Sequence, residues 1–393
     1  MFVEGSLPGE LVTARVTEEK KDYLKAAAVA VLEPSPDRVE PLCPVFGQCG
    51  GCQFQHVRYE RQISLKEEVL LDALRRIGKI SCTLTPPIAD ESPWSYRHRA
   101  QFKADGRRIG FYRKSSSSVV DVQRCPVVCD GISSAYAALR TLSALPEFCG
   151  YFARITGLRL ISNNAKTAAL FTAPPDVVPG AALVETLLRE SGLAGCIALS
   201  GSDVAASAGE QSVDFSLGDL IYRVSPGSFF QGHWRLNGRV VEAACEALSR
   251  HGVSRVLDLY AGAGNFALPL AARVGEVVAV EEHPQAVIDG RANCERNRIA
   301  NVRFVETQAE QYEPEGHFHA ALLDPPRPGI SGRVVDTVLN IAPESIVYVS
   351  CNPSTLARDL RKICQSYDLV SVRLIDFFPH TSHIESMAIL RKK

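Results

Sequence analysis

Val256-Leu-Asp-Leu-Tyr-Ala-Gly-Ala-Gly-Asn-Phe266 is an apolar strand that runs into a glycine-bearing turn and then into a helix. In an open α/β sheet, such a junction makes a cleft at the carboxyl end of the strand, and ligands bind there. Gly262 and Gly264 let the backbone approach a ligand closely, while Glu281, closing the next apolar run, can accept hydrogen bonds from two ribose hydroxyls. The spacing Gly262-x-Gly264-x-x-Ala267 suits a nicotinamide dinucleotide as well as S-adenosylmethionine. Asp258, Gly262, Gly264, Asn265 and Glu281 all fall at one end of the sheet, so a bare turn without a ligand is the weaker reading.

Outward from this stretch, apolar runs at 255–260, 276–281, 302–306, 320–324 and 345–350 alternate with helical segments. That alternation predicts a mostly parallel, doubly wound α/β sheet of the Rossmann-like type over 226–393. Upstream, 42–225 mixes short strands (108–112, 118–122, 156–161, 167–171, 196–200) with a helical pattern at 181–190, the mark of an α+β region. A helix is expected over 59–77, with Ile63, Val69, Leu70, Leu74 and Ile77 on its apolar side, packed against the catalytic part. Residues 1–41 carry two β-like stretches, 10–16 and 27–31, around a charged turn, and read as part of a small barrel.

With 393 residues, 46% hydrophobic and 22% charged, the composition is that of a globular enzyme. No apolar run reaches the length of a membrane span, and the start lacks the pattern of a signal peptide; the expectation is a cytoplasmic monomer with no membrane partner. The net charge of −1 advertises no nucleic acid, so a local patch has to carry that argument. Residues 94–114 hold seven Lys or Arg against the single acid Asp105, interleaved with Trp94, Tyr96, Phe102, Phe111 and Tyr112. Cations for phosphates and rings for unstacked bases suit single-stranded RNA, although the same rings could be core.

Twelve cysteines in a reducing compartment are thiols or metal ligands rather than a disulfide framework. Cys43, Cys49 and Cys52, with Cys125, supply four thiolates, enough for zinc or an iron–sulfur cubane; spacing alone leaves both open.

Two further strand ends bear on chemistry. Ala320-Ala-Leu-Leu-Asp-Pro-Pro-Arg-Pro-Gly329 presents Asp324 on a stiff turn, and Ile346-Val-Tyr-Val-Ser-Cys-Asn-Pro353 delivers Cys351 just before a helix with Asn352 as cap and Pro353 in its first turn. The positive end of that helix is expected to favour the thiolate. Asp376-Phe-Phe-Pro-His-Thr-Ser-His-Ile-Glu-Ser386 gathers His380, His383 and Glu385; acid–base work suits them better than a metal, since no further ligand cluster lies nearby. A thiol and a carboxylate beside a methyl donor answer a particular difficulty. Carbon 5 of uracil is a poor nucleophile until a thiolate adds at carbon 6, and a base must then remove the carbon 5 proton.

These residues resemble the 5-methyluridine RNA methyltransferases, in particular the iron–sulfur branch that acts on 23S ribosomal RNA. The likeness runs along almost the whole chain through Cys43-x5-Cys49-Gly-Gly-Cys52, Gly110-Phe-Tyr-Arg with Cys125, Ser228-Phe-Phe-Gln231, Asp258 to Asn265, Asp324-Pro-Pro-Arg327, Ser350-Cys-Asn-Pro353 and Phe378 to Glu385. It implies Cys351 as nucleophile and Glu385 as proton acceptor. It also implies Gln231, Tyr260, Gly262, Gly264, Asn265, Glu281 and Asp324 around S-adenosylmethionine, and a 4Fe-4S cluster on Cys43, Cys49, Cys52 and Cys125. Gln308 is carried over for the adenine side, where the family has an acid or Asn and this chain reads Thr307-Gln-Ala-Glu310. The N-terminal stretch resembles the later part of the family's RNA-binding (TRAM-like) barrel. Ribosomal RNA is the expected partner; a transfer RNA substrate and a non-catalytic RNA-binding role are the alternatives, and an NAD-dependent oxidoreductase leaves Cys351 and the Asp-Pro-Pro-Arg turn without roles.

Overall fold

The computed structural model describes residues 1–393 apart from Arg107, Phe229, Arg250 and His251. Arg107 of the basic stretch and Phe229 of the Ser228–Gln231 motif therefore lie outside the described residues. β1 (Phe2–Glu4), β2 (Leu11–Glu19) and β3 (Leu24–Glu33) form an open three-stranded sheet in the order β1-β3-β2. The hairpin strands run closer to the turn than the apolar pattern indicated. Glu18 pairs with both Lys20 and Lys25 at 2.6 Å across the turn, so the charges that look like a loop extend the ladder.

α1 (Tyr59–Ala73) continues into a π turn over Leu74–Gly78. Its buried face is Gln62, Lys66, Leu70 and Ala73, whereas Val69 is 53% exposed. The expected apolar stripe is thus half replaced by two polar side chains. Leu70, Ala73 and Leu74 share a core with Leu356, Ala357 and Leu360 of the catalytic part.

A second, seven-stranded sheet has the order β10-β9-β8-β7-β4-β5-β6, built from β4 (Arg99–Asp105), β5 (Arg108–Tyr112), β6 (Val119–Asp121), β7 (Gly157–Ser162), β8 (Thr167–Ala173), β9 (Gly195–Ser200) and β10 (Asp203–Gly209). α2 (Asp130–Ser143), α3 (Pro146–Phe152) and α4 (Ala181–Ser191) share its core. A hairpin follows, β11 (Val213–Leu217) and β12 (Leu220–Val224), whose Val213, Phe215, Tyr222 and Val224 are buried with α5 (Trp234–Leu248).

The third sheet positions the site. β13 (Arg255–Leu259), β14 (Glu276–Glu281), β15 (Val302–Glu306), β16 (Ala320–Leu323) and β17 (Ser345–Ser350) are parallel, as expected. They are linked by α6 (Ala267–Ala271), α7 (Pro284–Arg296) and α8 (Gly332–Ile341), and α9 (Pro353–Ile363) follows β17. The order is β15-β14-β13-β16-β17-β19-β18: β18 (Tyr367–Ile375) and β19 (Glu385–Lys392) form a hairpin in which β19 slots antiparallel between β17 and β18. Alternate residues of each strand face opposite cores, Val256 and Leu322 toward one and Leu257 and Leu323 toward the other. Burial on both faces is why these strands read as unbroken apolar runs.

Gly264, at φ +87°, leaves no room for a side chain, because a Cβ there would stand 2.1 Å from Leu268 Cδ1 and 3.2 Å from the Phe304 ring. Gly264→Ala should therefore lower stability by about 1–3 kcal/mol through left-handed strain and displacement of Leu268. Urea unfolding that gives the parent midpoint would contradict this.

Candidate active site

A cavity of about 670 Å³ opens at the carboxyl ends of the parallel strands. Along its wall the chain leaves β13 through Tyr260 and Gly262, both with positive φ (67° and 56°). Glu281 is fixed by two backbone amides, with Gly262 N–H donating to Oε2 at 2.9 Å and His283 N–H to Oε1 at 2.8 Å. Each oxygen keeps a lone pair free for a ligand hydroxyl. Asn265 and the buried Asn237 of α5 exchange two amide hydrogen bonds, at 2.7 and 3.1 Å, which sets their orientation. Gln231, Tyr260, Gly262, Asn265, Glu281 and Asp324 all line the cavity. Two residues expected beside them do not. Gly264 faces Leu268 and Phe304, and Gln308 is exposed, its carbonyl receiving the amides of Gln311 and Tyr312 while Thr307, Ala309 and Glu310 line the wall.

The reacting end is set by the inserted hairpin. Ser350 pairs with Ser386 in the antiparallel β17–β19 ladder, so Cys351 and Glu385 are the next positions outward on the two strands. Both line the cavity with Asp324, Arg327, Phe378 and His383. Asn352 caps α9, its side chain accepting from Ser354 N–H at 3.0 Å, and Pro353 occupies the first turn.

Burial dominates the electrostatics here. Asp324 is pushed up to about 7 by burial. Glu385, 8% exposed, is pushed up to about 8 by burial and then by Asp324, with Arg327 and Lys66 opposing. Asp258 is wholly buried with neither carboxylate oxygen in a good hydrogen bond. Burial, Asp324 and Glu281 raise its pKa well above the ordinary carboxylate range, against a pull from the Ala267 amide. The surroundings of Cys351 work against the thiolate that the helix end was expected to favour. Burial, Glu385 and Asp324 raise the thiol, and Arg327 only partly offsets them.

The two histidines separate. His383 reaches the cavity wall, with its Nδ1 3.4 Å from Arg327. His380 is buried outside the cavity, at φ 65°, stacked on Trp94 with ring centroids 3.8 Å apart, and burial lowers it to about 4.

Cys43, Cys49, Cys52 and Cys125 line one small cavity of about 60 Å³, together with Phe46, Tyr96, Phe111 and Thr381. Burial pushes Cys52 up to about 12 and Cys125 up to about 11. Among the described residues no group of three or more Cys, His, Asp or Glu forms a ready metal-holding set. In the basic stretch, Arg97 and Arg99 line the large cavity. Its rings are mostly core: Tyr96 and Phe102 are buried, and of the five aromatics only Tyr112 is exposed. No helix among the described residues is long and apolar enough to cross a membrane.

A largely parallel sheet whose cavity brings a ribose-competent glutamate together with a cysteine and a carboxylate suits a methyltransferase of the S-adenosylmethionine class, and the comparisons show that class. The sequence model described as tRNA (Uracil-5-)-methyltransferase matches residues 210–393. The 23S rRNA (uracil(1939)-C(5))-methyltransferase RlmD of Alkalilimnicola ehrlichii is 35% identical, over 100% of this chain and 92% of that protein. An uncharacterized RNA methyltransferase of Halalkalibacterium halodurans is 32% identical with the same coverage. The crystal structure of the Pyrococcus abyssi tRNA (uracil-54, C5)-methyltransferase with S-adenosyl-L-homocysteine superposes with a TM-score of 0.80 at 25% identity, covering 99% of this chain and 95% of that one. The chain belongs to the RNA uracil-5 methyltransferase family.

Because Glu385 is raised, the folded state favours its neutral form. The stability this gives is intact below about pH 4.5, where the unfolded chain is also protonated, and is lost as pH climbs through about 8. Glu385→Gln, which stays neutral, should match the parent at pH 4.5 and exceed it by about 2–4 kcal/mol at pH 9. Parallel stability–pH curves in urea titrations would show that the carboxyl is not raised.

Proposed function

We propose that this enzyme methylates carbon 5 of a uridine in 23S ribosomal RNA through a covalent adduct, with Cys351 as nucleophile and Glu385 as base. The observation that carries the reading is the meeting of Cys351, Glu385 and Asp324 in the cavity that Glu281 also lines. The Cys351 sulfur adds to carbon 6 of the uracil, and the electron pair moves into the ring as an enolate that makes carbon 5 nucleophilic. S-adenosylmethionine, when bound at Glu281, supplies the methyl that carbon 5 takes. Glu385 then removes the proton from carbon 5, the carbon 5–carbon 6 double bond re-forms, and the carbon–sulfur bond breaks to return the thiolate. Arg327, the cation facing Cys351, supports the thiolate at both ends of this sequence.

The residues fit the methyl donor. Glu281 has free lone pairs for a ribose diol, Tyr260 and Asn265 line the same cavity, and the Asp324 carboxyl there favours a cationic ligand. Arg97 and Arg99 at the cavity suit the phosphates that flank a target uridine. Relatives 33–35% identical over the full chain carry the 23S rRNA name, against 25% for the tRNA enzyme, which favours rRNA. We read residues 1–41, 42–225 and 226–393 as an RNA-binding sheet, a cysteine-bearing RNA-positioning region and the methyltransferase domain of a cytoplasmic monomer.

Incubated with S-adenosylmethionine and RNA, Glu385→Gln should accumulate a methylated RNA–protein band on denaturing gels. Cys351→Ala should form none, and the double variant should behave like Cys351→Ala because addition comes first. A Glu385→Gln enzyme that turns over normally would remove Glu385 from its role. Separate pools of unmodified rRNA and tRNA, offered to the parent enzyme, decide the substrate; label confined to tRNA would overturn the rRNA reading.

The second part of the reading is a 4Fe-4S cluster on Cys43, Cys49, Cys52 and Cys125. It is supported by four thiols on one largely apolar cavity, no acid or histidine among the lining residues, and Gly51 N–H directed at Cys49 Sγ at 3.4 Å. Such a cluster would supply iron–thiolate bonds that tie the 43–52 segment to Cys125. Protein purified without air should be brown and contain about four irons per chain; stoichiometric zinc with no iron would refute this.

A further inference from the structure

α1 buries two polar side chains, Gln62 and Lys66, four residues apart on one face and 0% and 1% exposed. Both engage the nine residues that join β18 to β19. Lys66 Nζ donates to Asp376 Oδ1 at 2.6 Å and to the Phe378 carbonyl at 3.0 Å, while Tyr59 Oη donates to Asp376 Oδ2 at 2.8 Å. The Gln62 amide lies 3.1 Å from His380 Nδ1 and accepts the His380 N–H at 2.9 Å. The residues just before the helix add to the clamp. Gln53 and Phe54 N–H both donate to the His380 carbonyl at 2.9 Å, and Ser382 N–H donates to Gln53 Oε1 at 3.1 Å. The connection is thus held at 376, 378, 380 and 382, every second residue. Ile375, just before it, pairs with Glu385, just after it.

A buried ion pair is a poor source of stability, because desolvation consumes most of the attraction and an apolar pair serves as well. What it supplies is direction. Lys66 fixes where one carboxylate and one carbonyl sit, and those two atoms open the turn that ends on Glu385. We infer that Lys66, backed by Gln62, is a positioning residue for the proton-abstraction step, holding the β18–β19 connection so that Glu385 meets carbon 5 of the adduct. The inference rests on Glu385 being the base. It does not extend to thiolate addition, since Cys351 stands on the β17–α9 junction, which neither side chain touches.

The test uses the full chain as Lys66→Met/Asp376→Asn, which removes both charges together and leaves no lone buried charge, and as Gln62→Met. Cofactor affinity by calorimetry and thermal melting establish that each variant is folded; single-turnover gels then follow the RNA–protein adduct. With Michaelis constants for cofactor and RNA unchanged, adduct formation should proceed at the parent rate, while adduct resolution should slow at least ~10-fold, as a small misplacement of a catalytic group does. Resolution at the parent rate in folded variants overturns the inference, and so does equal slowing of both steps, which a merely structural role would give. Glu385→Gln run alongside separates the two claims: if it builds up no adduct, the base assignment fails and takes this inference with it; if it does and the α1 variants resolve normally, only the positioning role falls.

Discussion

Asp258, Asp324 and Glu385 have to be buried close together, and the active site is organised around keeping them so. Each comes from at or near a strand end of the same sheet, and each is shifted toward its neutral form by burial; Asp324 adds to the shift of both Asp258 and Glu385. In a low-dielectric pocket two neighbouring carboxylates resist ionising together. The free site therefore tends to hold protons, and a ligand that brings positive charge relieves it. Such a pocket is electrostatically suited to a sulfonium, whose positive charge offsets the cost of ionising neighbouring acids.

The geometry follows from one topological feature. In a purely parallel sheet every strand delivers its carboxyl end to the cleft; in this sheet β19 runs the other way, so its first residue, Glu385, arrives at the same edge. Cys351 leaves β17 as Glu385 enters β19, and the ladder sets them side by side. The acid and the thiol need no long loop to meet, because the hydrogen-bond register already brings them together.

Much of this was legible in the residues, and the exceptions have physical causes. The parallel strands announce themselves because both faces are buried, which leaves unbroken apolar runs such as Val277 to Val280. The cofactor turn, the cap at Asn352 and the clustering of Cys351 with Glu385 were readable from residue type and order. The β11–β12 hairpin was missed although Gly218-Asp219, with Gly218 at φ +58°, is a two-residue turn signal between alternating runs. The buried face of α1 could not be read, since Gln62 and Lys66 look like solvent-facing residues until their partners, more than 300 positions away, are known. Position along the chain points to Gln308, but the turn after β15 brings its neighbours Thr307, Ala309 and Glu310 to the cavity. The helix end at Cys351 is visible in the residue order, whereas the burial and the neighbouring Glu385 and Asp324 that raise the thiol come from the fold.

The contacts between Tyr59 and Asp376 and between Gln62 and His380 span 317 and 318 residues of chain, and this bears on how the protein is made. At translation rates of roughly 5–20 residues per second, α1 leaves the ribosome about fifteen seconds to a minute before its partners exist, and its buried lysine spends that interval without its aspartate. β19 likewise emerges long after α1, and it brings Glu385 to the cavity and fills the place between β17 and β18. Until β19 has emerged, β17 lacks its antiparallel neighbour and the cavity lacks Glu385, so α1, the cysteines and the glycine turn can be in place well before the pocket is complete.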